Sequence, residues 1–254
     1  MYIKDQFTVI STLTIAEMKG RYRNTVAGVL WVMFNPLILF SVHALIFKHI
    51  LKIDVERYYI FLLSGLLPWT YINGVLTQTV HSFITMRESL LSFQIHPVSV
   101  IVSKSIDGFI NFLMPFIFLL IALWSQEDYN LIGLALLPLS MLYIFIGVTA
   151  MAVFLSTLQV FFRDTQYITN FLLSIMFFLT PIFYPRQLIP SEYQILVDLN
   201  PFYAFIDPFK VCLWDFSFQS WLNSMGTASL FLGIILMIST SFWTKTRNEL
   251  YINI

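Results

Sequence analysis

The stretch GRYRNTVAGVLWVMFNP, residues 20–36, sets two arginines and a tyrosine directly against a run without charge. From residue 26 to residue 47 there is no Asp, Glu, Lys or Arg at all. A helix needs about 20 mostly apolar residues to cross the hydrocarbon of a bilayer. Basic and aromatic residues at the end of such a run mark the headgroup level. The rest of the chain has the same character. It has 254 residues, of which 58% are hydrophobic and 11% charged, and its mean hydropathy is +0.78. A soluble domain carries about 25% charged residues. A water-soluble fold of this length has nowhere to hide so much apolar surface, so the chain is an integral membrane protein.

Five further uncharged windows follow, at 58–86, 108–124, 129–162, 165–184 and 216–244. The alternating pattern of a membrane barrel is absent, which leaves helices. The expected fold is all-α, with six transmembrane helices in a single domain spanning 1–254. Lysine and arginine set the orientation. With the N-terminus inside, the inner segments hold Lys4, Lys19, Arg21, Arg23, Arg87, Lys104, Arg163, Lys245 and Arg247. The outer ones hold Lys48, Lys52, Arg57, Arg186 and Lys210. The loop at Glu127 and Asp128 has no positive charge and falls outside. Both termini are then cytoplasmic. The first residues lack a compact apolar stretch followed by a small-residue cleavage site, so no signal peptide is expected.

Three segments are not spans. Phe7, Ile10 and Leu13 recur at helical spacing, so 1–25 is expected to form an amphipathic helix lying on the inner leaflet. Arg21, Tyr22 and Arg23 then stand at headgroup level, either as a positive-inside anchor or as a place where anionic lipid or an anionic substrate meets the protein. The cytoplasmic stretch from Arg87 to Asp107 is too long for a turn. Leu90, Leu91 and Phe93 make its first part amphipathic, and Pro97 ends any helix there. Its apolar edge needs a partner, whether protein or lipid. The stretch 185–215 is rich in proline and aromatics, too interrupted to span and too apolar for a free loop. It reads as an external re-entrant or interfacial helical hairpin. Irregular backbone at membrane depth survives only when buried in protein or lining a cavity, so this hairpin caps a pathway unless it is an ordinary amphipathic loop.

Several chemistries are missing. No G-x-x-x-x-G-K-S/T loop is present, so the chain has no such site for ATP. His43, His49, His81 and His96 show no metal-ligand spacing, and no metal is expected. There is no Gly-x-Ser-x-Gly elbow and no pair of carboxylates within a span, which argues against an enzyme and against a proton relay. Asp107 sits one helical turn from Lys104, both at the cytoplasmic end. Net charge is zero, which gives no basic field for nucleic acid. Cys212 is the single cysteine, so there is no internal disulfide. Aromatic residues are abundant at 17%, and their faces suit the C–H faces of sugar rings.

The blocks RYRNTVAGVLWVMFNPLI (21–38), SGLLPWTY (64–71) and VFFRDTQYITNFLLSIMFFLTPIFYPRQLIP (160–190), followed by LNPFYAFIDPFK (199–210), resemble the transmembrane subunit of ABC-2 type polysaccharide exporters. That group includes O-antigen, capsule and teichoic acid permeases, and the resemblance covers essentially the whole chain. It implies a homodimer in the inner membrane with two separate ABC ATPase subunits on its cytoplasmic side. ATP and Mg are then bound by those partners and no cofactor by this chain. It implies that 87–97 couples to the ATPase, through Arg87, Glu88, Ser89, Leu90, Leu91, Phe93, His96 and Pro97. It implies that 185–215 is an external gate, and that Arg21, Tyr22 and Arg23 stand where the pyrophosphate of a lipid-linked glycan enters. The translocation path is expected along the motif aromatics Trp31, Phe34, Phe178, Phe183 and Tyr184, joined by Phe202 and Tyr203 of the hairpin. The alternatives are an exporter of a small or lipidic molecule, and a membrane enzyme acting on lipid-linked sugars.

Overall fold

The computed structural model describes residues 2–22, 30–93, 95–125 and 129–253. Arg23 and the loop at Glu127 and Asp128 lie outside the described residues. Among the described residues every regular element is helical. The chain begins with α1 (Tyr2–Tyr22). Next comes α2 (Leu30–Ala44), which runs on into a π-helical turn, Leu45–Ile50. α3 (Tyr58–Thr79) is followed by two short helices, α4 (Ser82–Thr85) and α5 (Arg87–Phe93). α6 (Pro97–Ser125), α7 (Leu131–Phe161) and α8 (Thr165–Leu179) follow. Then come α9 (Gln194–Asp198), α10 (Pro201–Leu213) and the long α11 (Phe218–Asn253).

Among the described residues, five helical stretches are long and apolar enough to cross a membrane: Leu30–Ile50, Tyr58–Thr79, Pro97–Trp124, Leu131–Phe161 and Phe218–Leu250. They do not share the interior equally. In α3, 78% of the most apolar stretch is buried inside the chain, against 6% for Leu30–Ile50. α3 is therefore the central helix, and the first span leans on its edge with most of its surface uncovered.

The expected continuous helix over 165–184 is not formed. α8 has 15 residues, about 22 Å of rise, against about 30 Å of hydrocarbon. The cause is Pro181. It has no N–H to donate, and its ring drives the preceding residue out of the α region. Thr180 accordingly takes φ −88° and ψ 126°. Backbone left irregular in an apolar surrounding must find partners, and side chains supply them. Lys210 Nζ donates to the Pro181 carbonyl at 2.8 Å. Tyr58 Oη donates to the Phe183 carbonyl at 3.0 Å, and Tyr184 Oη to the Phe178 carbonyl at 2.6 Å.

The hairpin over 185–215 is α9 and α10, and α10 packs against α3, α7 and α11. Asn200 starts α10. Its Oδ1 accepts from the N–H groups of Phe202 at 2.9 Å and Tyr203 at 3.3 Å, and its Nδ2 donates to Thr180 Oγ1 at 2.8 Å. Pro201 then fills the first helical position, where a missing N–H costs nothing. Two glycines of α7 let α10 approach. A Cβ on Gly147 would stand 2.4 Å from Cζ of Phe205, and one on Gly133 would stand 2.5 Å from the Cys212 carbonyl oxygen.

Three expectations need correction. Lys210 is not a free external cation; it is buried, held by the Pro181 carbonyl and by the Phe61 ring 3.5 Å away. The window 58–86 is not one helix, because α3 ends at Thr79 and the chain turns through α4. The stretch from Arg87 to Asp107 is not all outside the bundle. α6 starts at Pro97 and carries Lys104 and Asp107 buried within it. Proline is well placed as the first residue of a helix, and both charges are neutralised across the interface with α1.

The contacts sort into two ends. Ring pairs bring Phe83 and His96 to Trp243, at 6.3 and 5.7 Å, so α4, the start of α6 and the last turns of α11 share one end. α1 joins them there through Gln6 Oε1, which accepts from Ser99 Oγ at 2.7 Å. At the opposite end, Trp214 Nε1 donates to the Glu56 carbonyl at 2.8 Å and Arg57 donates to the Trp214 carbonyl. Both described ends of the chain thus lie at the same end of the bundle.

Candidate translocation site

Two ion pairs clasp α1 to α6. Arg21 pairs with Asp107, and Lys104 Nζ lies 3.5 Å from Glu17. Glu17 and Arg21 are four apart on α1, while Lys104 and Asp107 are three apart on α6, so each pair meets on one helix face. Thr14 lies buried on the same face. α1 therefore turns a polar stripe to the protein, and Phe7 and Ile15 point away from it. Sequence reading placed Lys104 beside Asp107 as neighbours on one helix. The matched charge spacing on α1 was the signal for the crossed pairing.

Arg21 also donates through Nη2 to Gln78 Oε1 at 3.1 Å. These two residues separate two hollows. The first is a groove of about 530 Å³ against α1, bordered by Leu13, Glu17 and Met86. The second is a cavity of about 220 Å³ between α2, α3 and α6. Trp31, Asn35, Thr70 and Tyr71 line the cavity, and Arg21 and Gln78 belong to both hollows. Tyr22 ends α1.

α5 is divided by burial. Leu90 is 1% exposed and anchors the helix in the core, while Leu91 and Phe93 project, Phe93 at 76% exposure. Arg87 and Glu88 are exposed and Ser89 is half-buried. A short helix is thus left with two large apolar side chains and two charges facing outward. His96 lies tilted against the Trp243 ring and remains partly exposed. Burial, and then the Arg247 guanidinium, hold its imidazole below the usual range, which favours the neutral form. Pro97 is buried at the start of α6.

The aromatics expected along the path fall into two groups. Trp31 and Phe34 on α2 and Phe178 on α8 are exposed, Phe178 at 64%. Phe183 is 2% exposed. Its ring stacks on Phe47 at 4.6 Å and on His43 at 5.6 Å, and meets Phe177 edge-on at 5.1 Å. Phe183 is a packing residue that ties the C-terminal half of the first span to α8. Tyr184 is half-buried beside it, 5.6 Å from its ring. Phe202 is half-buried and meets Trp69 edge-on at 5.7 Å. Tyr203 is half-buried on α10. The structure joins Phe178, Phe183 and Tyr184 in one cluster, and leaves Trp31 and Phe34 apart from it, both exposed on α2. No group of His, Cys, Asp and Glu able to hold a metal ion occurs among the described residues.

A helical bundle with five membrane-length helices among the described residues, a broken hairpin whose α10 is buried, and ion pairs between α1 and α6 defines a multi-pass membrane protein. The chain belongs to the ABC-2 type transporter family, whose model matches residues 8–214. It is similar to the O-antigen export system permease protein RfbA of Klebsiella pneumoniae, 25% identical over 247 residues, which covers 95% of this chain and 93% of the relative. The protein of the same name from Myxococcus xanthus is 24% identical, with the same coverage. The polysialic acid transport protein KpsM of Escherichia coli is 21% identical, over 96% of this chain and 95% of its own length.

Proposed function

We propose that the chain is the permease subunit of an ATP-driven ABC exporter that moves a lipid-linked polysaccharide outward across the inner membrane. Two copies form the channel, and two separate ATPase subunits bind ATP and Mg on the cytoplasmic side. The observation that carries this reading is the uncovered aromatic face of α2 and α8 in a chain that matches polysaccharide-export permeases along nearly its whole length. Trp31, Phe34 and Phe178 offer ring faces to a sliding glycan, because stacking needs no fixed register along a polymer. Phe183 supports Phe178 from behind.

In this reading α8 and the return through Tyr184 make the fifth of six crossings, and both termini are cytoplasmic. The hairpin of α9 and α10 closes the outer end. Leu91 and Phe93 seat in the ATPase, with Arg87 and Glu88 at the rim of the contact. Arg21, Tyr22 and Arg23 receive the pyrophosphate where the first span begins. The test is genetic and biochemical together. Loss of the chain should abolish surface glycan, and wild type should restore it. Leu91→Asp should insert normally but fail to restore export or to retain its ATPase, because an unpaired charge buried in an interface costs several kcal/mol. Normal surface glycan in the absence of the chain would sink the proposal.

A further inference from the structure

The cavity between α2, α3 and α6 is more polar than its position among spans requires. Besides Arg21 it is lined by Asn35, Thr70, Tyr71 and Gln78. Tyr71 is buried, and its hydroxyl has no hydrogen-bond partner. A buried hydroxyl left unpaired is costly, and a native site that keeps one needs a reason. Its ring is fully used for packing, edge-on to Phe109 at 5.7 Å and against Phe112 at 5.7 Å. A phenylalanine would serve that packing equally well. The hydroxyl is therefore surplus to the fold.

Arg21 stands at the mouth in a particular way. Asp107 and Gln78 both engage its Nη2. The guanidinium has five N–H donors, and Nε and Nη1 are not engaged by either residue. Asp107 holds the side chain in place and leaves its fork open to an anion. Asp107 also cancels the charge of Arg21, so a phosphate gains hydrogen bonds there but little net Coulomb attraction. Discrimination must then come from the group attached to the phosphate. The cavity behind Arg21 has about 220 Å³, against about 30 Å³ for one water in the liquid. That is room for one ring. Its lining pairs the aromatic face of Trp31 with neutral polar groups, the combination that holds a hydroxylated ring.

We propose that this cavity is a subsite for a glycosyl phosphate, in which Arg21 takes the phosphate and Tyr71, Asn35 and Gln78 take the hydroxyls of the first sugar. The inference rests on the reading of the chain as a polysaccharide-export permease and adds a place where the phosphate-bearing sugar is recognised. A phosphate with a hydroxylated substituent also occurs in the headgroup of phosphatidylglycerol, so the test separates the two sources.

The permease with its ATPase partner is placed in phosphatidylcholine nanodiscs. Binding is measured for farnesyl diphosphate and for its derivatives bearing one glucose, galactose or N-acetylglucosamine. Two variants probe the cavity. Tyr71→Phe removes only the surplus hydroxyl. Gly74→Leu fills the hollow from α3, where an added Cβ meets nothing within 4 Å. At least one sugar derivative should bind wild type about tenfold tighter than farnesyl diphosphate, and Tyr71→Phe should lower that preference by about threefold to tenfold. Gly74→Leu should erase it. Farnesyl diphosphate itself should bind both variants within about twofold of wild type, and Arg21→Gln should weaken every ligand.

No sugar preference in wild type, or a preference that survives both cavity variants, overturns the subsite and leaves the export reading standing. Phosphatidylglycerol added to the nanodiscs and abolishing the preference shows that the cavity takes a phospholipid headgroup, which overturns it too. If no diphosphate binds wild type at all, the export reading falls with it.

Discussion

Replacing Gly147 by alanine should loosen the seat of α10. Gly147 lies in the middle of α7, and an added Cβ would stand 2.4 Å from Cζ of Phe205 and 2.8 Å from both Cε atoms. Carbon atoms rest at about 3.5–4.0 Å, so the ring must move by roughly 1 Å. It has no room to do so, because Phe205 is fully buried. Overpacking of this kind costs about 1–3 kcal/mol, and a rigid ring met end-on belongs at the upper limit. Alanine returns about 1 kcal/mol as the better helix former. The net loss is about 2 kcal/mol, or roughly a 30-fold rise in the open population of the hairpin.

The chain carries its own reporter of that opening. Cys212 is the single cysteine, it is buried, and it sits on α10 two turns beyond Phe205. An opening step that precedes thiol labelling converts stability into rate. The rate of maleimide labelling of Cys212 in nanodiscs should therefore rise about 30-fold in Gly147→Ala. Phe205→Leu should also raise it, by leaving a gap. The double variant should label more slowly than Gly147→Ala alone, because the smaller side chain makes room for the new methyl group. Unchanged labelling in Gly147→Ala, or double-variant labelling as fast as the two single effects combined, would refute the contact and with it the packing of α10 on α7.

The same reporter logic serves topology. In a Cys212→Ala background, a cysteine at Ser191 should react with an impermeant maleimide in intact cells and one at Ser89 only after permeabilisation; the reverse pattern would overturn the assigned orientation. Alanine at the path aromatics should split by burial. Phe183→Ala should lose folded protein, at about 3–5 kcal/mol for a truncated buried ring, while Trp31→Ala and Phe178→Ala should keep level and assembly but lower surface glycan. Equal losses of folded protein across all three would make them ordinary packing. Lys210→Met removes the donor to the Pro181 carbonyl, worth about 1.5–3 kcal/mol for a charged hydrogen bond. Thermal unfolding in nanodiscs should show that loss, and a neutral or stabilised variant would show that the desolvation of the buried ammonium outweighs its bonds.

The fold class was legible in the sequence because a bilayer admits few solutions. Uncharged runs of span length must be helices, and of the boundaries set by proline only the break at Pro97 was read in the sequence. Pro97 opens α6, Pro181 closes α8 and Pro201 opens α10. The cap that Asn200 makes before Pro201 was found in the structure. The apolar hairpin between the last two long segments was visible from its composition.

What the sequence could not decide is which apolar side chain faces lipid and which faces protein. Lipid tails are as apolar as leucine, so hydropathy carries no contrast between them. Phe178 and Phe183 are five residues apart and alike in type, yet one is exposed and the other is at the centre of a cluster. Charges suffered the same ambiguity. Lys210 counts as an external cation until the Pro181 carbonyl and the Phe61 ring are seen to enclose it. Asp107 and Lys104 look like a local pair until α1 brings Arg21 and Glu17 against them. A charge is tolerated inside such a bundle only where a partner distant in sequence meets it, and that meeting is made by tertiary structure alone.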